Sequence, residues 1–286
     1  MVGRQVLESL LATDAAVRVI AREPDRVAQR ARDRVDVVQG SHADPAVIDA
    51  AFEGADEVFW LVPPNPRAES VEAAYVEFTV PAAAAFTRHN VKRVVGISAL
   101  GRGTPQARHA GLVTGSLAMD DLIGRTGVAY RAVTCPSFMD NLLRQVDAIR
   151  NSGMFFSPID SDRKLPSCAT RDIAAVATRL LLDTSWTGAG EAAVLGPEDL
   201  SFTDMARIMT DVLGRPVRFQ QMSFDAYKAR FEERGMSEVM AQAMTDMASA
   251  KNEGLDNAEL RTPENTTPTR FETWCEEVLK PRVLAA

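Results

Sequence analysis

The feature that most constrains this chain is a regular exchange of short β-branched runs with helical stretches. "VRVIA" (17–21) and "VDVVQ" (35–39) are two such runs, separated by a charged stretch, "DRVAQRAR", that reads as a helix. "DPAVIDAAF" follows as a helix with Asp44 at its N-cap, and two prolines stop the continuous apolar run "EVFWLVPP". Residues 73–89 read as a helix, "VKRVVGISA" as a buried strand, 117–125 as a helix ending before Gly127, and "VAYRAVTC" as a strand. Exchange at roughly 20 to 30 residues is the signature of repeated βαβ units around a parallel sheet. The expected class is therefore α/β, a doubly wound parallel sheet over residues 1–140 with a smaller, mostly helical lobe over 141–286. In that lobe "RDIAAVATRLLL" is a helix, "EAAVLG" a last strand and "SFTDMARIMTDVLG" a helix capped by Ser201, with 167–196 expected to pack back on the sheet.

At 286 residues, 46% of them hydrophobic, the chain is long enough to bury a large core. A net charge of −7 without any basic block argues against a nucleic-acid partner, which requires clustered Lys and Arg. Cys135, Cys168 and Cys275 are widely spaced and form no CxxC, so neither a disulfide nor a metal site is expected, and a reducing cytoplasm fits. No apolar run approaches the roughly 18 residues of a membrane span, so no membrane partner is expected.

The opening "MVGRQVLESLLA" is unusual for such a fold. Val2, Val6, Leu10 and Leu11 mark one face of an amphipathic helix, with Arg4, Gln5 and Glu8 on the other, and only Met1 precedes it. In a dinucleotide fold a first strand runs into a Gly-rich turn, and the pyrophosphate sits on the N-terminus of the next helix. The last glycine of that turn lies inside the helix; Gly3 is in that position.

At this point the chain resembles the NmrA-like, atypical short-chain dehydrogenase/reductase family, whose members usually open with a strand and G-x-T-G-x-V-G-R. "MVGRQVLESLL" is similar to the tail of that motif, with Met1 at its x. Further similarities are "VIAREPDRV", "GADEVFWLVPP", "VKRVVGISALG", "TCPSFMDNLL", "RDIAAVATRLL" and, most specifically, "LGPEDLSFTDMARIMTDVLGRPVRF". The resemblance implies that the first strand and the phosphate-binding glycines are missing ahead of residue 2, whether by a start assigned at an internal methionine, by shortening or by natural loss. The expectation is that a form extended upstream binds dinucleotide far better.

It also implies an NAD(P)H cofactor. A carboxylate ending the second strand of the full fold takes the ribose 2′-hydroxyl, and Arg there accommodates a 2′-phosphate. Here the order is Ala21-Arg22-Glu23, with Arg26 and Arg30 one and two turns on, which favours NADP(H) over NAD(H); solvated loop charges are the alternative reading. Ser41 stands where the family often has an adenine-contacting Asp. "VPPNP" (62–66) and "CPSFMDN" (135–141) follow strands at the carboxyl edge, so the expected cofactor contacts are Gly3, Arg22, Ser41, Val62, Pro63, Ser98, Pro136 and Phe138.

The reductases of the wider superfamily use Tyr-x-x-x-Lys with a Ser ending the fifth strand. Ser98 sits where that Ser would, yet neither Tyr nor Lys occurs between Ala99 and Tyr130. An acceptor oxygen then needs another partner, for which Ser98, His109, Ser116 and Asn141 are the candidates; a surface histidine without a role is the alternative for His109, and His42 and His89 read as peripheral. Met236, Met240, Met244 and Met247 follow helical spacing, as core, as a subunit interface of a possible homodimer, or as a lid over a flat apolar substrate. The expected function is NADPH-dependent reduction of a small carbonyl, enone or quinone. A dinucleotide sensor without turnover is the second reading and an inert scaffold the third.

Overall fold

The computed structural model describes residues 2–27 and 29–285, without the side chain of Arg30. Met1 and the Arg30 side chain, both named above, lie outside the described residues. In chain order the elements are α1 (Val2–Leu10), β1 (Val17–Ala21), α2 (Gln29–Arg32), β2 (Val35–Gln39), α3 (Pro45–Phe52), β3 (Glu57–Trp60), α4 (Phe78–Arg88), β4 (Arg93–Ala99), α5 (Leu112–Arg125) and β5 (Ala129–Cys135). They continue with β6 (Ser137–Phe138), α6 (Val146–Ser152), β7 (Met154–Ser157), β8 (Leu165–Cys168), α7 (Thr170–Leu182), β9 (Ala189–Ala193), β10 (Asp199–Leu200), α8 (Phe202–Leu213) and β11 (Arg218–Gln221). Four helices close the chain: α9 (Phe224–Glu232), α10 (Glu238–Asn252), α11 (Phe271–Trp274) and α12 (Lys280–Leu284).

The chain is an α/β fold around parallel strands. β3, β4, β5 and β9 form one four-stranded parallel sheet in the order β3-β4-β5-β9, and β1 pairs with β2 in a second, two-stranded parallel sheet, Val17 opposite Val35. Among the described residues no ladder pair joins β1 to β3, so the sheet is divided where the sequence reading leaves out a strand. Side chains tie the smaller sheet down instead. Arg18 of β1 donates to the carbonyls of Ala51 (3.1 Å) and Glu53 (2.7 Å) at the end of α3, and Arg34 donates to the Leu11 carbonyl beyond α1.

Helices cover both sheet faces, which is why the central strands are largely apolar. On one side Ile48 and Phe52 of α3, Phe86 of α4 and Ile123 of α5 pack against Val58, Trp60 and Val94, with Phe52 and Phe86 stacked at 5.4 Å. On the other, Val2 and Val6 of α1 meet Ile173 and Ala177 of α7 over Val95 and Val133. Each large apolar side chain so buried contributes about 1.5–3 kcal/mol. The C-terminal lobe has its own core, with Phe155, Met209, Phe271, Trp274 and Leu279 all essentially inaccessible. Cys135, Cys168 and Cys275 are free and buried, and among the described residues no helix is long and apolar enough to cross a membrane.

Local chemistry explains the boundaries. Asp44 caps α3 by accepting from the Ala46 N–H, and Ser201 and Asp204 form a reciprocal capping box on α8. The stretch "DRVAQRAR" is not one helix: a 3₁₀ turn at Pro24–Arg26 precedes the four-residue α2. α4 is entered through a π-helical turn, Ala73–Glu77, and contains Pro81, which has no N–H to offer the Glu77 carbonyl; the wide turn lies immediately upstream. α5 starts at Leu112, five residues before the expected start. Gly111, at φ +52, lies so close to the Ala243 backbone of α10 that any side chain there would collide with its carbonyl, so the helix begins at that contact.

Candidate active site

Four chain segments meet at the carboxyl ends of the strands. Gly3 in the first turn of α1 lies against Leu61 and Phe59, both 3.9 Å from where a Cβ would be. The Leu61 carbonyl is hydrogen-bonded at 3.2 Å by Nε2 of His42, which follows β2, and Arg22, which follows β1, is close enough to His42 to act on its charge. His42 is therefore not peripheral. It stands edge-on to Trp60 and Phe78, with ring centroids 5.5 and 5.1 Å away, and burial holds its imidazole below the usual histidine range, as a neutral ring. Arg22 is exposed and has no ion-pair partner among the described residues, whereas Arg26 pairs with Glu23 at 2.8 Å. Ser41 turns its hydroxyl to the Ala43 N–H at 3.2 Å. Val62 packs at the rim of the core under β3 and Pro63 is half-buried beside it.

The donor set at this edge suits a dinucleotide. The first N–H groups of α1 have no helical acceptor, Arg22 offers an uncommitted guanidinium, and Val62 and Pro63 offer apolar surface. Gly3 has no heavy atom closer than 3.9 Å at its Cβ position, so the helix start is not crowded by side chains. The Gln5 Oε1 in the same turn is buried without a hydrogen-bond partner among the described residues.

Ser98, at the end of β4, faces inward. Its hydroxyl donates to Asp120 Oδ2 at 2.5 Å and shares a 3.1 Å hydrogen bond with Ser116, while Tyr130 donates to Asp120 Oδ1 at 2.6 Å. Gly96 makes this possible, because a Cβ there would strike the Tyr130 phenol. Arg102 joins from outside at 3.5 Å and also binds Asp121 and Glu191. Burial pushes the Asp120 carboxyl up to about 6, against the opposing pull of the two hydroxyls and Arg102.

A mostly apolar cavity of about 210 Å³ lies between the β5 exit and the C-terminal lobe. Phe138, Met139 and Asn141 line it from one side and Met205, Met222 and Phe202 from within the lobe. Phe138 also packs on the apolar cluster that holds Val2 of α1, so this wall of the cavity adjoins the strand-end cleft. Pro136, between Cys135 and β6, is buried. His109 is elsewhere: it lines a separate groove with Gln106, Asp246 and Glu253. Ser98 and Ser116 do not line the apolar cavity, and of the candidate acceptor partners Asn141 alone does.

The methionine stripe divides along α10. Met236 and Met240 pack on Ala68 and Ala74, while Met244 and Met247 face the cavity. The sequence reading missed the opposite wall. Tyr227, Arg230 and Phe231 of α9, with Arg234 just beyond, line the cavity at i, i+3, i+4 and i+7, a helical stripe whose spacing could have revealed it. Burial raises the Tyr227 phenol above its ordinary pKa, so it remains a donor, and Arg144 and Arg230 lie near enough to oppose that shift.

Comparison with known proteins matches residues 1–184 to the NAD(P)H-binding family and residues 122–275 to the NmrA-like family. The (4-alkanoyl-5-oxo-2,5-dihydrofuran-3-yl)methyl phosphate reductase of Streptomyces griseus is 32% identical over 281 residues, 96% of this chain and 94% of its own. An NAD(P)H azoreductase of Xenophilus azovorans is 26% identical over 86% of this chain and 82% of its own. Among solved structures, the Citrobacter sp. triphenylmethane reductase complexed with NADP(H) superposes with a TM-score of 0.77 at 17% identity, covering 99% of this chain and 97% of that one.

Proposed function

Because the chain belongs to the NmrA-like family of NAD(P)H-binding proteins, we propose that it is an NADPH-dependent reductase of a small conjugated carbonyl, an enone or a quinone. The observation that carries this reading is the apolar cavity joined through Phe138 to the strand-end cleft. A substrate in the cavity would lie beside a nicotinamide seated at the end of β4 and β5. NADPH, when bound, supplies a hydride.

The rest is the work of this chain's residues. The α1 amides and Gly3 would take the pyrophosphate, Arg22 the 2′-phosphate, and Ser41, Val62 and Pro63 the adenosine side. Pro136 and Phe138 would bound the nicotinamide pocket. Ser98 holds the end of β4 to α5 through Asp120 and Ser116 and so positions the floor beneath it. Asn141 presents an amide to the cavity, where its N–H can stabilise oxygen that gains charge as a conjugated carbonyl is reduced. Asn141 is exposed, so the proton that completes the reduction comes from water at the mouth. A Tyr-Lys dyad is not required when orientation lowers the barrier.

The relatives' names give a furanone phosphate and azo compounds as substrates, and an electron-poor π bond is common to both. NADPH consumption against a panel of quinones, enones and azo compounds tests the proposal. Turnover above the enzyme-free rate supports it. Tight NADPH binding with no turnover across the panel would favour the sensor reading, and failure to bind either dinucleotide would remove both.

A further inference from the structure

Lys251 puts a buried charge on the wall of the apolar cavity. Met244, Met247, Ala248 and Lys251 of α10 line it at i, i+3, i+4 and i+7, so three apolar residues and one lysine share a single helix face. A lysine in the last turn of a helix ordinarily extends its four-carbon stem until the ammonium reaches water. Lys251 is instead 6% exposed, and its Nζ donates to Oδ2 of Asp256 in the 3₁₀ turn Leu255–Ala258. The pair is incomplete on both sides. Oδ1 of Asp256 is buried without a hydrogen-bond partner among the described residues, and Oδ2 takes only one of the ammonium's three N–H groups. No second acceptor for Lys251 is found among the described residues, and those lining the cavity include no Asp or Glu.

A second polar group belongs to the same wall. Ser167 of β8 is 4% exposed and lines the cavity, yet its hydroxyl has no hydrogen-bond partner among the described residues. Side chains alternate along a strand, so Ser167 shares a face with Leu165, which packs on Ala248 one turn ahead of Lys251, while Cys168 turns into the core under β5. Lys251 is near enough to β8 to act on the charge of Cys168. On its other side β8 pairs with β6, Ser167 beside Ser137 and Cys168 beside Phe138, so this strand connects the lysine's helix face to the Phe138 wall. An ammonium and a hydroxyl, both short of acceptors in an apolar enclosure, are a cost to the fold that a charged ligand oxygen removes.

Hydride addition to a quinone gives it two electrons and one proton and leaves a hydroquinonate, whose negative charge is shared by two oxygens. A second proton, from water at the mouth, completes the hydroquinone. Resting on the reductase reading, we infer that Lys251 is a catalytic residue that holds this charge at the buried end of the cavity, with Ser167 as second donor and Asn141 at the exposed end, and that the substrate is a quinone. A monocarbonyl enone has one oxygen and can meet only one of the two ends. Asp256 is a positioning residue, keeping the ammonium where the oxygen arrives.

Absorbance titration of 4-nitrophenol bound to the protein without added dinucleotide separates this inference from the reading beneath it, because it needs no turnover. The phenolate absorbs in the visible and, like a hydroquinonate, shares its charge between two oxygen-bearing ends. In an apolar cavity without a cation, burial would raise the pH at which the dye ionises. Beside Lys251 the bound dye should ionise about one pH unit or more below the free dye, a tenfold or greater preference for the anion. In Lys251→Met the midpoint should return to that of the free dye or above it. That variant leaves Asp256 buried and unpaired, so Lys251→Met/Asp256→Asn is measured beside it, with a thermal melt to show that each is folded. Arg144, Arg230 and Arg234 also line the cavity, and Arg230→Gln is the control in which the shift should persist. A shift that follows Arg230 in place of Lys251 overturns the inference, as do an unmoved midpoint and a dye that binds at no pH. NADPH oxidation with menadione, a quinone, is read in parallel, and its kcat should fall about 100-fold in the double variant with the NADPH Kd unchanged. Turnover that the double variant retains in full defeats only the role of Lys251, and an ionisation shift without any turnover defeats only the reductase.

Discussion

Replacing Asp120 by Asn should make the protein progressively more stable than wild type as pH rises. In the fold the Asp120 carboxyl is almost wholly buried and is pushed from its ordinary 3.8 up to about 6. An acid whose pKa is higher in the fold than in the unfolded chain keeps its proton longer when folded. Its ionised form therefore costs the fold about 3 kcal/mol well above pH 6, and stability from this group rises as pH falls from 8 toward 4. This is opposite in sign to a salt-bridged carboxylate. Of that total, about 1.4 kcal/mol accrues between pH 5 and pH 8. Asn does not ionise, and its amide can still pair with the Ser98 and Tyr130 hydroxyls. Urea unfolding of both proteins at pH 5, 6.5 and 8 should show the difference in unfolding free energy moving by about 1.4 kcal/mol in favour of Asn as pH rises, or roughly 3–5 °C in a parallel melt. A difference that stays constant within about 0.3 kcal/mol, or that moves the other way, would refute the reasoning. Asp120→Ala provides the contrast, because it leaves the buried Tyr130 hydroxyl unpaired at about 1–3 kcal/mol and Ser98 with Ser116 as its remaining partner, and should be destabilising throughout.

Arg22→Ala should weaken NADPH about tenfold or more while leaving NADH nearly untouched, as measured by fluorescence titration with each cofactor; an equal loss for both would count against Arg22 as the 2′-phosphate ligand. Gly96→Ala should drive the Tyr130 phenol off Asp120 and lower unfolding free energy by about 1–3 kcal/mol in urea, with an unchanged midpoint as the contrary result. Met244→Trp should fill part of the 210 Å³ cavity, raising the KM for the organic substrate without changing the NADPH Kd, and a parallel loss of both would argue that the cavity does not hold substrate. Appending an apolar strand and a Gly-rich turn ahead of residue 2 should tighten NADPH binding; equal affinity with and without it would show that the divided sheet is no handicap to the cofactor.

Much of the fold was legible because its signals are local. Four-to-seven-residue β-branched runs, the Asp44 and Ser201 caps and the amphipathic faces of α1 and α7 each follow from neighbouring residues alone. β6, β7, β8, β10 and β11 were not legible, because strands of two to four residues show no periodicity and take their partners from far away, as β7 does from β11. The position of His42 depends on Trp60 and Phe78 closing around it, which no local pattern announces. At the site, the strand ends were readable from the α/β rule that ligands gather there. The cavity's far wall was not legible because the family's catalytic tyrosine position falls between β4 and β5, while Tyr227, Arg230 and Arg234 lie about a hundred residues downstream.

The division of the sheet bears on how the molecule breathes. β1 and β2 are bonded to each other but, among the described residues, to no third strand, and arginine side chains on backbone carbonyls hold them to their surroundings. Such clamps can let go one at a time, whereas a continuous ladder opens only with its neighbours. Amide protons across 17–39 should accordingly exchange with deuterium through small excursions of that hairpin-sized unit, well ahead of those in β4 and β5, and a ligand spanning both sheets would slow them most.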